Sequence, residues 1–226
     1  MSVRSDDDHL SGVPAAQHAV YRVLGSFFLP PEPDRLATLV AAAPELERVA
    51  GPLEGMTGHR AWTALVRRLG SLEDDDVDRM RTQYTGLFLS GSRDLTVQPF
   101  ESSYAQVSEY DIATVSAAVE TRFRRAGIQL ASKGELPDHV AVELEFCAYL
   151  CHQEGDADTD VDAAHWRAER QSFLVDHLVR WLPDFAGTLA RVMPESIYTE
   201  GAAVVRAVTA DDLVIIDALA AVPASG

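Results

Sequence analysis

Residues 137–151 read PDHVAVELEFCAYLC, a polar opening followed by a long apolar run. The apolar residues from Val140 onward lack the strict alternation of a half-buried strand, and the run is long enough for a buried helix. Pro137, Asp138 and His139 stand where that helix should begin. Proline suits the first helical position and an acid suits the first turn, so we expect the helix to start within these three residues.

The rest of the chain is also predominantly helical in its periodicity. Residues 1–13 are expected to form a disordered acidic tail, 90–103 a long loop, and 154–160 an acidic linker that is a possible hinge. The predicted class is all-α, a single domain over residues 14–222 with about nine or ten helices. Besides the helix at 137, helices are predicted at about 15–28, 34–50, 58–70, 75–89, 104–126, 161–182, from Pro183 to about 193, 195–208 and 210–221.

The composition excludes some classes of partner. The chain has 226 residues, 47% of them hydrophobic, and a net charge of −16. Such a charge disfavours nonspecific binding to nucleic acid or to anionic lipid, but it permits attraction to a basic peptide. A single lysine, Lys133, stands beside eighteen arginines. An acidic, lysine-poor surface suggests a halophilic, haloarchaeal source; a GC-rich genome with an acidic proteome is the alternative.

The localisation expected from the sequence is cytoplasmic. No apolar run approaches the roughly 18–20 residues that a membrane-spanning helix needs. The first residues, MSVRSDDDHLSG, are acidic and polar. They contain neither the basic region nor the apolar region of a secretory signal peptide.

Enzymatic signatures are weak in this chain. The patterns GxGxxG, GxxxxGK[ST], GxSxG and HExxH are all absent. Cys147 and Cys151, four residues apart, are expected to be buried thiols rather than a disulfide. With His152 they supply three zinc ligands where a structural site usually has four. A small helical metalloprotein that uses these three residues with His139 and Glu143 stays open as an alternative.

Two further stretches contain candidate binding residues. In YTGLF (84–88), Tyr84, Leu87 and Phe88 share one helical face, which is typical of a core contact. In PFESSY (99–104), Pro99 and Phe100 precede Glu101, and an acid on a loop beside aromatic residues is suited to receive an arginine.

These stretches, in their order and spacing, resemble the TorD/DmsD/NarJ family of redox-enzyme maturation chaperones. YRVLGSFFLPPEP (21–33) is similar to the opening helix of that family, and FLVDHLVRWLPDFAGTL (173–189) resembles its C-terminal helix pair. The resemblance covers about residues 15–190. Position 136 is Leu, so Glu135 lies one residue further from the proline than in the E-P-D-H pattern of the family.

The resemblance implies a function as well as a fold. It implies an all-helical chaperone without catalytic activity or a cofactor, as a monomer or a helix-swapped dimer. Its partner would be the twin-arginine signal peptide, or the apo catalytic subunit, of a molybdopterin-containing oxidoreductase of the dimethyl sulfoxide reductase type. A helical assembly or regulatory subunit that binds the folded partner is the second possibility. The implied peptide-binding residues are Tyr84, Leu87, Phe88, Pro99, Pro137, Asp138 and His139, to which we add Phe100 and Glu101 on physical grounds.

Overall fold

A bundle of helices forms the part of the chain that the computed structural model describes, residues 12–89, 96–105, 109–129 and 135–221. The predicted all-α class and helix number are confirmed, since these residues contain nine α-helices and only one isolated β-bridge. The helices are α1 (Val13–Phe27), α2 (Pro33–Val49), α3 (Thr57–Gly70), α4 (Asp74–Tyr84), α5 (Glu109–Arg125), α6 (Val140–Gly155), α7 (Asp160–Phe173), α8 (Val179–Val192) and α9 (Ile197–Ala220).

Several boundaries differ from the sequence prediction. The N-terminal tail was predicted to reach residue 13, but Val13 is already buried in α1; residues 1–11 lie outside the described ranges. The helix predicted from 104 is described from Glu109 onward; residues 101–103 form a short 3-10 turn, and residues 106–108 lie outside the described ranges. No helix in the described part of the chain is both long and apolar enough to cross a bilayer.

The central helix α6 begins later than predicted. His139 is its N-cap, and the His139 Nδ1 accepts a hydrogen bond of 3.1 Å from the Ala141 N–H. Pro137 and Asp138 therefore lie in the turn before the helix and not in its first turn. The interior of the predicted helix is confirmed, and both Cys147 and Cys151 are fully buried free thiols.

Helix α6 is held against α1 at close range. Gly25 of α1 allows this approach, because a Cβ at that position would lie 3.0 Å from the Ala141 carbonyl oxygen. Both helices contribute to one continuous apolar core, which also includes residues of α3, α8 and α9. The start of α6, and with it Asp138 and His139, is thereby fixed relative to the rest of the bundle.

The C-terminal helix is continuous, whereas two helices were predicted at 195–208 and 210–221. Asp211 and Asp212 were expected near the start of the second helix. Instead they contact other helices: the Asp211 carboxylate accepts the Gly58 N–H of α3 at 2.5 Å, and Asp212 is buried. The two acids therefore lie inside one continuous helix, and their side chains contact other helices.

Pro183 does not end a helix as predicted. It lies inside α8, and a π-helical turn, Leu174–Leu178, joins α7 to α8 without a break. The wide turn precedes the proline, which withholds one backbone N–H from the helix.

A balanced polar network, the Arg170 cluster, lies buried between α1, α6, α7 and α9. Arg170 is fully buried, and its guanidinium donates to Glu154 at 2.5 Å, to Asp212 at 3.2 Å and to the Gln17 side-chain oxygen at 3.2 Å. Arg167 donates to the other Glu154 oxygen at 2.7 Å. Glu154 was predicted to start an acidic linker, but it lies in α6 and is buried by this pairing, and only residues 156–159 connect α6 to α7. A hinge at 154–160 stays a prediction.

Candidate functional site

The second and third motifs meet through their backbones. The loop at 99–101 and the turn at 138–140 form an antiparallel bridge between Phe100 and His139. The Glu101 N–H donates to the Asp138 carbonyl at 2.9 Å, and the Val140 N–H donates to the Pro99 carbonyl at 2.8 Å. The Phe100 ring packs edge-on against the imidazole of His139, with 5.1 Å between centroids. Segments almost forty residues apart in sequence are therefore joined at the start of α6.

Three carboxyl groups converge behind this bridge. Asp138 is fully buried, and its Oδ2 accepts the Ser102 N–H at 3.2 Å. Glu143, also fully buried, accepts the indole N–H of Trp181 on Oε2 at 3.2 Å. Glu101 lies nearer the surface, and its Oε2 is 2.8 Å from the Nδ1 of His177. We call Glu101, Asp138, Glu143 and His177 the acid-rich cluster.

Two carboxylate oxygens of the acid-rich cluster have no hydrogen-bond partner among the described residues. Asp138 Oδ1 and Glu143 Oε1 are buried and lack a hydrogen-bond partner among the described residues. No arginine or lysine of the described residues forms an ion pair with any of the three carboxyl groups. Unpaired buried carboxylate oxygens are costly, so the cluster is chemically suited to a cationic hydrogen-bond donor.

Burial shifts the protonation of two groups here. It raises the pKa of Glu143 well above its usual range, and the neighbouring negative charge of Glu101 adds to the rise. Burial lowers the pKa of His139 to about 4, which keeps the imidazole neutral and able to cap α6. His139 and Glu143 are four residues apart, but their side chains have different partners: His139 binds the backbone and Glu143 binds Trp181.

The first motif lies in a cluster of aromatic rings. The helix predicted over 75–89 ends at Tyr84, and Thr85–Leu89 form a π-helical turn. Leu87 and Phe88 are buried, and the Phe88 ring contacts Tyr84 at 4.9 Å and Phe185 at 6.5 Å between centroids. The Tyr84 hydroxyl donates to the Phe28 carbonyl at 3.4 Å, and burial raises its pKa to about 12. The shared apolar face is therefore a core contact.

Helix α8 and the π-helical turn before it connect the first motif to the carboxyl groups. Phe185, which touches Phe88, also lies 5.3 Å from the ring of Trp181, and Trp181 donates to Glu143. The sequence prediction missed His177, Trp181 and Phe185 as site residues, although they lie in the stretch at 173–189 that carried part of the resemblance. Their spacing of about one helical turn, on an otherwise apolar stripe, was the available signal.

Both π-helical turns of the described chain belong to this region. One holds Leu87 and Phe88 of the first motif, and the other holds His177, which contacts Glu101. Turns of this kind occur often at functional sites, because the extra residue redirects neighbouring side chains.

Exposure differs from what a surface site would require. Seven of the nine predicted residues are buried, and only Phe100 and Pro137 are partly exposed. Glu101 keeps 11% side-chain exposure and its partner His177 keeps 10%. The exposed surface nearby belongs to residues next to the motifs, Leu89 and Leu136, which are 64% and 55% exposed. Glu135 is exposed and close enough to Tyr84 to help raise its pKa.

The alternative metal ligands are not brought together. Cys147 and Cys151 are buried in the core, while the His152 imidazole is half exposed and faces Asp156 at 3.5 Å. No group of three metal-binding side chains occurs in the described ranges.

Residues 55–187 match the model of the nitrate reductase delta subunit family. The match covers more than half of the chain and includes all three motifs. The chain belongs to this family. The membership inferred from the motifs, in the TorD/DmsD/NarJ family of maturation chaperones, is thereby confirmed.

Similar curated proteins are named as chaperones. Chaperone protein TorD of Aeromonas salmonicida (strain A449) is 27% identical over 128 residues, 56% of each chain. The chlorate reductase assembly chaperone protein of Ideonella dechloratans is 52% identical over 52 residues, 23% of this chain and 27% of that one. The selenate reductase assembly chaperone protein of Thauera selenatis is 50% identical over 52 residues, with the same shares. The chain thus spans about half the length of the first relative and about a quarter of the other two.

A solved structure has the same fold. A crystal structure described as a redox enzyme maturation protein from Archaeoglobus fulgidus superposes with a TM-score of 0.50. The match covers 84% of this chain and 91% of that chain at 18% identity. At this identity the likeness concerns the fold alone.

Proposed function

We propose that this protein is a cytoplasmic, non-catalytic assembly chaperone for a molybdopterin-containing oxidoreductase of the dimethyl sulfoxide reductase type. It would bind the twin-arginine signal peptide of that enzyme, or its apo form, and so assist cofactor insertion and delay export. The observation that carries the proposal is a set of carboxyl groups, where the second and third motifs meet, that no described arginine or lysine neutralises. Family membership and the names of the relatives support it.

The chemistry of a twin-arginine leader matches this region in two ways. Its guanidinium groups are planar donors that bind carboxylates through paired hydrogen bonds. Glu101 is the carboxylate that the leader would meet first, because its side chain keeps an exposed edge while Asp138 and Glu143 lie behind it. The apolar run that follows the arginines would contact Leu89 and Leu136, which are exposed and adjoin the first and third motifs. Asp138 and His139, which are buried beneath this surface, would hold the loop that carries Glu101 in position.

Calorimetric titration with a twin-arginine leader tests the proposal. The control peptide carries citrulline in place of both arginines, since citrulline has the same shape without the charge. We expect binding by the arginine peptide and a loss of at least tenfold with citrulline, because hydrogen bonds between charged groups contribute about 1.5–3 kcal/mol each. Equal affinity for both peptides would contradict recognition of the arginines.

Recognition of the folded body of the partner is the second candidate. The burial of Asp138 and His139 favours it, because side chains inside the protein cannot contact a leader peptide directly, which leaves the outer surface of the bundle to bind the partner. Deleting the leader from the partner enzyme separates the two candidates. Binding that survives the deletion unchanged would favour the folded body, and binding that disappears would favour the leader.

A further inference from the structure

Glu143 is the member of the acid-rich cluster whose environment is least compatible with a negative charge. Its Oε2 accepts one hydrogen bond from Trp181, while its Oε1 is buried without a partner among the described residues. A carboxylate oxygen in this position loses the hydrogen bonds that water would give it. A protonated Glu143 would instead have an O–H group to donate.

The groups around Glu143 are mostly acidic. Glu101 faces it from the 3-10 turn, Asp138 from the turn before α6, and Cys147 from the next turn of α6 itself. On the side of α8, the nearest polar group is the neutral indole of Trp181. The imidazole of His177 contacts the carboxylate of Glu101 and is linked to Glu143 through that carboxylate. A second full negative charge beside Glu101 is therefore uncompensated by the described residues, whereas a proton between the two carboxyl groups would join them.

The Arg170 cluster shows how this protein accommodates two buried carboxylates. There the guanidinium of Arg170 lies between Glu154 and Asp212 and donates to both. The acid-rich cluster also has a pair of buried acids, Glu101 and Glu143, but no described arginine lies between them. The missing component is one guanidinium group.

We propose that Glu101 and Glu143 share one proton in the free protein, and that an arginine side chain of the partner replaces this proton when it binds. The inference rests on the proposed function and assigns Glu143 as a further binding residue. In the exchange, the O–H bond of Glu143 breaks and the proton passes to the solvent. The guanidinium, which stays protonated, then donates N–H hydrogen bonds to the two carboxylates, and no other covalent bond changes.

Proton release upon binding is the direct test. The twin-arginine leader is titrated at pH 7 in two buffers that have different enthalpies of ionisation, and the difference in binding enthalpy gives the number of protons released. We expect about one proton for the wild type, and an affinity that rises by up to about tenfold per pH unit. The citrulline peptide should release none.

Two variants on α6 sharpen the test. Glu143→Gln keeps an acceptor for Trp181 and an N–H donor for Glu101, so it imitates the protonated side chain without a proton to lose. We expect it to bind the leader about 10- to 100-fold more weakly and to release no proton. Glu145→Gln, which removes an exposed acid of the same helix, should behave as the wild type.

The possible outcomes separate this inference from the proposed function. Tight binding by the wild type with equal enthalpies in the two buffers would overturn the proton exchange and leave the chaperone function standing. No binding by the wild type would contradict leader recognition itself. The shared proton has its own readout in the free protein: the infrared band of a protonated carboxyl group should be present in the wild type and absent from Glu143→Gln. A band that is unchanged in the variant would overturn the inference.

Discussion

The Arg170 cluster and the acid-rich cluster are both buried at helix junctions of the same bundle, yet they differ in charge balance. In the first, two arginines face two carboxylates, and none of the buried side-chain nitrogen or oxygen atoms of the five residues lacks a partner. In the second, three carboxyl groups share one histidine, and two buried oxygens have no partner among the described residues.

We propose that this difference separates a structural role from a binding role. A balanced network needs nothing from outside, and removing one of its members leaves a charge unpaired inside the protein. An unbalanced cluster is unfavourable in the free protein, and it becomes favourable when a partner supplies the missing charge. We propose that this cost is connected with function, because the second and third motifs meet at the unbalanced cluster and the first motif is connected to it through Phe185 and Trp181.

Removal of Arg170 should have the largest effect on stability. Arg170→Met leaves Glu154 and Asp212 buried without their central cation, and we expect it to lower the free energy of unfolding by about 3–5 kcal/mol. Urea unfolding followed by circular dichroism measures this loss. Arg167→Met is the matched control and should cost less, because the side chain of Arg167 is 21% exposed. A loss below about 1 kcal/mol for Arg170→Met would contradict the structural role of the Arg170 cluster.

His139 should make the region of the acid-rich cluster sensitive to acid. Its pKa is about 4 in the folded protein against an ordinary value of 6.5, so the unfolded state binds more protons between these values. The contribution of the neutral His139 to the free energy of unfolding is therefore complete above pH 6.5. It falls by about 3 kcal/mol as the pH drops to 4. The protonated ring also loses its role as acceptor for the Ala141 N–H.

The matched variant for this effect is His139→Asn, which keeps a capping oxygen and cannot be protonated. Unfolding free energies of the two proteins are compared from pH 7 to pH 4. The difference between them should shift steadily in favour of the variant as the pH falls, and parallel pH profiles would show that His139 does not titrate in this range.

Neutralising one acid in each cluster should have opposite consequences at pH 8. Glu154→Gln weakens the bonds to Arg167 and Arg170, and we expect a loss of about 2 kcal/mol. Glu143→Gln removes a group whose pKa is raised in the folded protein. The unfolded chain ionises Glu143 at a lower pH than the folded protein does, so the wild type loses stability as the pH rises from about 4.5 towards the raised pKa. The variant has no such loss and should be the more stable of the two at pH 8. Equal losses from both variants would end the distinction between the clusters.

Gly86 should have the smallest effect. It lies in the π-helical turn of the first motif, and a Cβ there would meet no other atom within 4 Å. Gly86→Ala is expected to raise the unfolding free energy by about 0.5–1 kcal/mol by reducing the freedom of the unfolded chain. Thermal unfolding detects such a gain, and a loss of stability would mean that the turn requires glycine.

The sequence predicted the helices well and the environments of the acids poorly. Apolar periodicity located α1, α3 and the interior of α6, because each buries one apolar face. It did not locate the π-helical turns, since a change of hydrogen-bond partner leaves no mark on the pattern of side chains. It divided α9 at Asp211 and Asp212, whose partners lie on other helices. The motifs made Asp138 and His139 candidate site residues, and the aromatic loop added Glu101. Their burial, and the contacts of the cluster with His177 and Trp181, depend on the packing of distant segments.

A double-substitution cycle between Glu101 and the arginines of the leader tests the central claim most directly. The wild type and Glu101→Gln are each titrated with the arginine peptide and with the citrulline peptide, and circular dichroism confirms that both proteins are folded. If Glu101 receives a guanidinium group, the two changes should be coupled by about 1.5–3 kcal/mol. A coupling energy near zero, with tight binding of the arginine peptide retained, would show that the arginines bind elsewhere and would contradict the assignment of the acid-rich cluster as their receptor.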